Sequence, residues 1–166
     1  MIFLTVGTTR FPFDRLLKAV DEALVDLNSK EELVVQAGTS YYHFKYSKSK
    51  VFKEIAFDKM LTYLKKARVV ITHGGPATIF LALKHSKNKP LIIPRLPEFK
   101  EHVNNHQEIF ANFLSREKMV KAILFPENLE KQIGNYLKNP AILKETTKIE
   151  ADRKLIKNLI NYTESL

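Results

Sequence analysis

The residues best equipped for chemistry lie between Val69 and Thr78, which read Val-Val-Ile-Thr-His-Gly-Gly-Pro-Ala-Thr. An apolar run suited to a strand ends at Gly74 and Gly75, and Pro76 follows in the position that commonly opens a helix. The first N–H groups of a helix have no internal partner and carry the positive end of its dipole, so this junction is fitted to hold an anion. Two glycines leave backbone without Cβ where a phosphate could approach. His73 adds one hydrogen bond when neutral and a charge when protonated, and Thr78 adds a hydroxyl. Thr8 and Thr9, after the first apolar run, could also donate to a phosphate. That turn, Val6-Gly7-Thr8-Thr9-Arg10, lacks the Gly-x-Gly-x-x-Gly fingerprint and so disfavours NAD or FAD.

A second polar cluster reads Glu101-His102-Val103-Asn104-Asn105-His106-Gln107. His102 and His106 stand four apart and would share a helix face with Glu101 close by. No His-Glu-x-x-His order and no third strong ligand accompany them, so no metal is expected.

These residues need a scaffold that brings them together. Strand-like runs fall at Ile2–Val6, Leu33–Gln36, Val51–Ala56, Val69–Thr72, Leu91–Pro94 and Met119–Phe125. Between them lie amphipathic segments. Phe13, Leu16, Leu17, Val20, Leu24 and Leu27 form one stripe, with Asp14 near its start. Further helices are expected at Asp58–Lys66, Pro76–Lys84, Asn104–Ser115, Glu127–Leu137 and Ala141–Tyr162. Strands alternating with helices predict an α/β fold: one Rossmann-like domain over residues 1–166, its mainly parallel sheet covered by helices on both faces, with 141–166 as a helical extension. In such sheets ligands bind beyond the carboxyl ends of the strands. Lys45 to Lys50 reads as a mobile loop.

A chain of 166 residues with no Cys carries no disulfide framework or thiolate metal site, which fits a reducing compartment. The opening apolar run has no basic lead and is far short of the roughly 20 residues that span a bilayer. The formal net charge is +9, and Lys45 to Arg68 carries eight Lys or Arg against Glu54 and Asp58. Nucleic acid, anionic lipid or an acidic protein could answer that charge. Tyr41, Tyr42, Phe44 and Tyr46 interleaved with lysines look superficially like a stacking platform, but no nucleic-acid motif is present and no such partner is expected.

Taken together, Thr72 to Thr78, Pro94-Arg95 and Glu101 to Gln107 resemble the donor-binding, C-terminal half of GT-B glycosyltransferases of family 28. With Thr5 to Thr9 and Phe11 to Leu16, the pattern is closest to the catalytic subunits of split bacterial β-1,4-glycosyltransferases of capsule and exopolysaccharide assembly. The resemblance runs from residue 1 to about 137. It implies an inverting transfer of a hexose (galactose, glucose or N-acetylglucosamine) from a UDP-sugar to a lipid-linked saccharide, with no metal and no further cofactor. It also implies a membrane-associated subunit that binds the acceptor and a cytoplasmic, peripheral location through it, since one Rossmann-like domain is half of a GT-B enzyme. His73, Glu101 and His106 would be catalytic. Gly7, Thr8, Thr9, Gly74, Gly75, Thr78, Arg95, Asn105 and Gln107 would bind the donor. Leu81 stands where larger relatives carry an acidic residue for the ribose, and Phe110-Ala111 where they carry Asn-Ala. A non-catalytic nucleotide-sugar module and a UDP-sugar hydrolase or epimerase are the competing expectations.

Overall fold

A computed structural model describes residues 1–143 together with Arg153 and Lys157. Six strands, β1 (Ile2–Thr5), β2 (Leu33–Gln36), β3 (Ser49–Phe52), β4 (Val69–Thr72), β5 (Leu91–Ile92) and β6 (Lys121–Ala122), form one sheet in the order β3-β2-β1-β4-β5-β6. Every pairing is parallel. Within residues 1–143 the helices are α1 (Asp14–Asp26), α2 (Phe57–Lys66), α3 (Pro76–His85), α4 (His106–Arg116) and α5 (Leu129–Lys138), with one 3₁₀ turn at Pro97–Phe99.

Alternation along the strands divides the apolar residues between two faces. Ile2, Leu4, Leu33, Val35, Val69 and Ile71 pack with Leu16, Val20 and Leu24 of α1 and with Ile133 and Leu137 of α5. Phe3, Val34 and Val70 meet Leu64 of α2 and Ala82 of α3 on the other face, while Ile79, Leu83, Ala111 and Leu114 join α3 and α4 above Ile92. Helices therefore cover both faces, which explains why the central strands read as unbroken apolar runs.

Some expected boundaries move. β3 is Ser49–Phe52, not Val51–Ala56, and the segment before it is anchored. The buried carboxylate of Asp21 accepts hydrogen bonds from the Lys45 and Tyr46 N–H groups and from the Tyr42 hydroxyl. Tyr46 is itself buried, its hydroxyl donating to the carbonyls of Ser29 and Glu31. Lys45 to Lys50 is thus pinned rather than free, and three of the four aromatics that superficially resembled a stacking platform pack inward, in keeping with the expectation of no nucleic-acid partner. Only Tyr41 stands out, at 81% exposed. β5 and β6 shrink to two residues each. The helix expected from Ala141 does not begin there: Ile142 bridges Asn88 in antiparallel fashion and the Lys89 N–H donates to the Ala141 carbonyl. Arg153 and Lys157 are helical and exposed, and the rest of that expected helix lies outside the described residues.

Candidate functional site at the sheet switch point

β1 and β4 are neighbours in the sheet, yet the chain leaves β1 toward one edge and β4 toward the other. Beyond the carboxyl ends of two such strands the loops part and a crevice opens. Gly7 follows β1 there, and His73, Gly74 and Gly75 follow β4. Sequence positions 66 residues apart are brought together by the strand pairing Thr5↔Thr72.

His73 sits at the centre. Its N–H donates to the Thr5 carbonyl at 3.3 Å, and its Nδ1 lies 3.3 Å from the Thr72 hydroxyl. Burial, then the nearby positive charge of Arg95, pushes its pKa down to about 4, with His102 adding to the shift and hydrogen bonding to Thr5 opposing it. The imidazole is therefore neutral at physiological pH, so it can donate a hydrogen bond but not neutralise a diphosphate.

The glycines make room for this ring. A Cβ at Gly75 would lie 2.3 Å from His73 Nε2, and one at Gly7 would lie 2.6 Å from His73 Cε1. Gly7 also has φ +75°, a conformation side chains rarely adopt. A Cβ at Gly74 would lie 2.7 Å from the Gln107 Cβ. The missing side chains admit His73 and α4 to the turn. What anion-binding capacity the turn has comes from the helix end. Gly75 is the N-cap of α3 and Pro76 its first residue, and no side chain caps it. The N-terminus of α4 lies against the same turn through Gln107, and its first N–H, that of His106, donates to the Asn104 side-chain oxygen at 3.3 Å.

Three expected site residues form the frame beneath. Gln107 Oε1 accepts from the backbone N–H groups of Gly74 (3.1 Å) and Arg95 (3.2 Å); two convergent donors fix it as the oxygen. Arg95 is 1% exposed, and its guanidinium donates to the carbonyls of Val6, Phe11, Pro12 and Glu101 while lying 4.6 Å over the Phe13 ring. Burial lowers its pKa to about 10, against the opposing attraction of Glu101, so it remains charged at neutral pH. Its Nε has no partner. Glu101 receives Arg15 Nε at 2.9 Å and Nη2 at 2.7 Å, with the Leu96 N–H at 3.1 Å. Both carboxylate oxygens are thus engaged, with three of about four acceptor sites filled, and the group is committed to holding the frame. Arg15 pairs with this carboxylate, whereas the contact of Arg95 with Glu101 is to the backbone carbonyl alone, so its buried guanidinium keeps a positive charge under the crevice.

The remaining expected residues face outward. Thr8, Asn105 and His106 are exposed, while Gly7, Thr9 and Thr78 are half-buried. Arg15 and Phe13 complete the frame; both lie in the Phe11 to Leu16 stretch that carries the resemblance, but neither was expected among the site residues. Phe13 reads as one more member of the α1 stripe, and nothing local marks a residue that pairs 86 positions away. Among the described residues no group of three His, Asp or Glu could hold a metal ion, and no helix is long and apolar enough to cross a membrane.

A six-stranded parallel sheet in this order, with an uncapped helix end at its switch point, defines a Rossmann-like domain of the kind that forms the C-terminal half of GT-B glycosyltransferases. Residues 1–159 match the glycosyltransferase family 28 C-terminal domain, and the chain belongs to that family. Its structure is similar to the crystal structure of the kitacinnamycin glycotransferase (TM-score 0.64, 18% identity, 93% of this chain and 38% of that one). It is also similar to that of Acinetobacter baumannii MurG (TM-score 0.62, 17% identity, 99% of this chain and 49% of that one). The chain therefore spans less than half the length of either. Comparison with curated proteins gives no match. Family membership supports a glycosyltransferase role.

Proposed function

We propose that the chain is the donor-binding part of an inverting glycosyltransferase that moves a hexose from a UDP-sugar to a lipid-linked saccharide of a surface polysaccharide. The observation that carries this reading is the uncapped N-terminus of α3, opened by Pro76, at the switch point above the buried guanidinium of Arg95. The N–H groups of Ala77 and Thr78 receive the diphosphate, with Thr8 and Asn105 at the rim. As the acceptor hydroxyl forms its bond to the anomeric carbon and the diphosphate leaves with the old bonding pair, fixed dipoles stabilise the charge that develops. Neutral His73 holds the turn in place. His106, the exposed imidazole at the head of α4, takes the acceptor proton, unless a residue of a membrane-associated, acceptor-binding partner does so. No metal and no further cofactor enter this scheme.

Thermal denaturation against UDP-, GDP- and ADP-sugars tests the donor. A ligand at ~100 times its Kd adds about 2.7 kcal/mol to stability, so UDP-sugars alone should raise Tm. A non-catalytic module would keep that shift, while transfer by the chain with its partner would then survive His106→Ala.

A further inference from the structure

The edge strand β3 and the start of α2 carry a surface that the donor site does not use. Val51, Phe52 and Phe57 are 45%, 39% and 59% exposed, where burial is the rule for such side chains. They lie among Lys48, Lys50, Lys53 and Lys59, all exposed, with Glu54 and Asp58 as the only acids in that stretch. The register places Lys50 and Phe52 beside Val34 and Gln36, on the sheet face that α2 covers, and the Lys50 ammonium is paired with Glu32 at 2.6 Å. Phe57 is the first residue of that helix. Phe52 and Phe57 thus stand in water within one short stretch that also exposes Lys53 and Lys59, while Lys48 donates to the Lys30 carbonyl.

Edge lysines alone would be explained as a guard against strand pairing. They do not explain two exposed phenylalanines. A fold that already buries its apolar strands on both faces gains nothing from leaving these in water. Rings set among long cationic side chains match the chemistry of an anionic bilayer surface: the rings enter the headgroup boundary while the ammonium groups meet lipid phosphates. Nucleic acid fits the charge less well, because the neighbouring Tyr42, Phe44 and Tyr46 are packed inward and cannot stack on bases.

We infer that this stretch, Lys48 to Lys59, binds directly to membranes rich in anionic phospholipid. The inference stands apart from the donor site, and failure of UDP-sugar binding would leave it intact. Sedimentation of the full chain with vesicles of phosphatidylcholine, with and without 30% phosphatidylglycerol, tests it. Anionic vesicles should bind at least tenfold more tightly than neutral ones, with most of that binding lost at high salt. Phe52→Ser with Phe57→Ser, and separately Lys53→Glu with Lys59→Glu, should each reduce binding at least fivefold while Tm and circular dichroism stay unchanged. Should one pair fail to fold, the other carries the test. Equal binding to neutral vesicles, no binding to either, or full binding by both folded variants would overturn the inference. So would an oligonucleotide that binds more tightly than the vesicles.

Discussion

The β4–α3 turn and the segment from Arg95 to Gln107 both looked chemical, yet they differ in what their polar groups have left to give. In the turn, α3 begins without a side-chain cap. In the segment, Arg95, Glu101 and the carbonyl of Gln107 are buried and their hydrogen bonds go mainly to backbone and to Arg15. A residue type capable of catalysis is thus as easily recruited to hold a loop. The difference between frame and face lies in which lone pairs and protons are still available.

Breaking the frame should unfold the protein before it alters chemistry. Gly7→Ala combines a positive φ with a Cβ 2.6 Å from His73, and should cost about 3 kcal/mol or more in urea denaturation. Gly75→Ala should cost similarly, and removing the ring as well, in His73→Ala with Gly75→Ala, should recover part of the loss. Glu101→Gln breaks a largely buried pair and should cost about 2–3 kcal/mol, whereas a free catalytic base could be replaced with little loss of stability. Gln107→Leu strands two backbone donors, for about 1–3 kcal/mol.

His73 sharpens the comparison through pH. Its folded pKa of about 4 lies below the unfolded value of 6.5. Between those values the unfolded chain binds a proton that the folded chain refuses, so stability falls as pH drops through this window, by up to roughly 3 kcal/mol. Above pH 7 this group contributes no slope. Denaturation midpoints at pH 7 and pH 5 should converge in His73→Asn relative to the wild type.

The face should behave in the opposite way. Ala77→Glu puts a carboxylate on the exposed first turn of α3, where the helix dipole favours it. Stability should hold or rise by a few tenths of a kcal/mol, while UDP-sugar affinity falls at least tenfold in calorimetry. Thr8→Ala should be the mildest, within about 0.5 kcal/mol in stability and a few-fold in affinity.

Much of the fold was legible because its signals are local. The α1 stripe from Phe13 to Leu24 and the apolar runs at Ile2 and Val69 each report their own burial. Pro76 marked the start of α3 to the residue. The pinning of Lys45 to Lys50 was not legible, since it depends on Asp21 reaching across from α1. The pairing of Glu101 was not legible for the same reason: its partner Arg15 lies 86 positions away in sequence. Composition lists functional groups, whereas tertiary contacts decide which are spent.

Amide NMR of the labelled chain titrated with UDP locates the donor directly. Shifts should concentrate at Thr8, Thr9, Gly75, Ala77 and Thr78, with Asn105 and His106 next. Shifts confined elsewhere, such as the cavity of about 430 Å³ lined by Pro97, Glu108 and Phe125, would contradict donor binding at the switch point, as would none at saturating nucleotide.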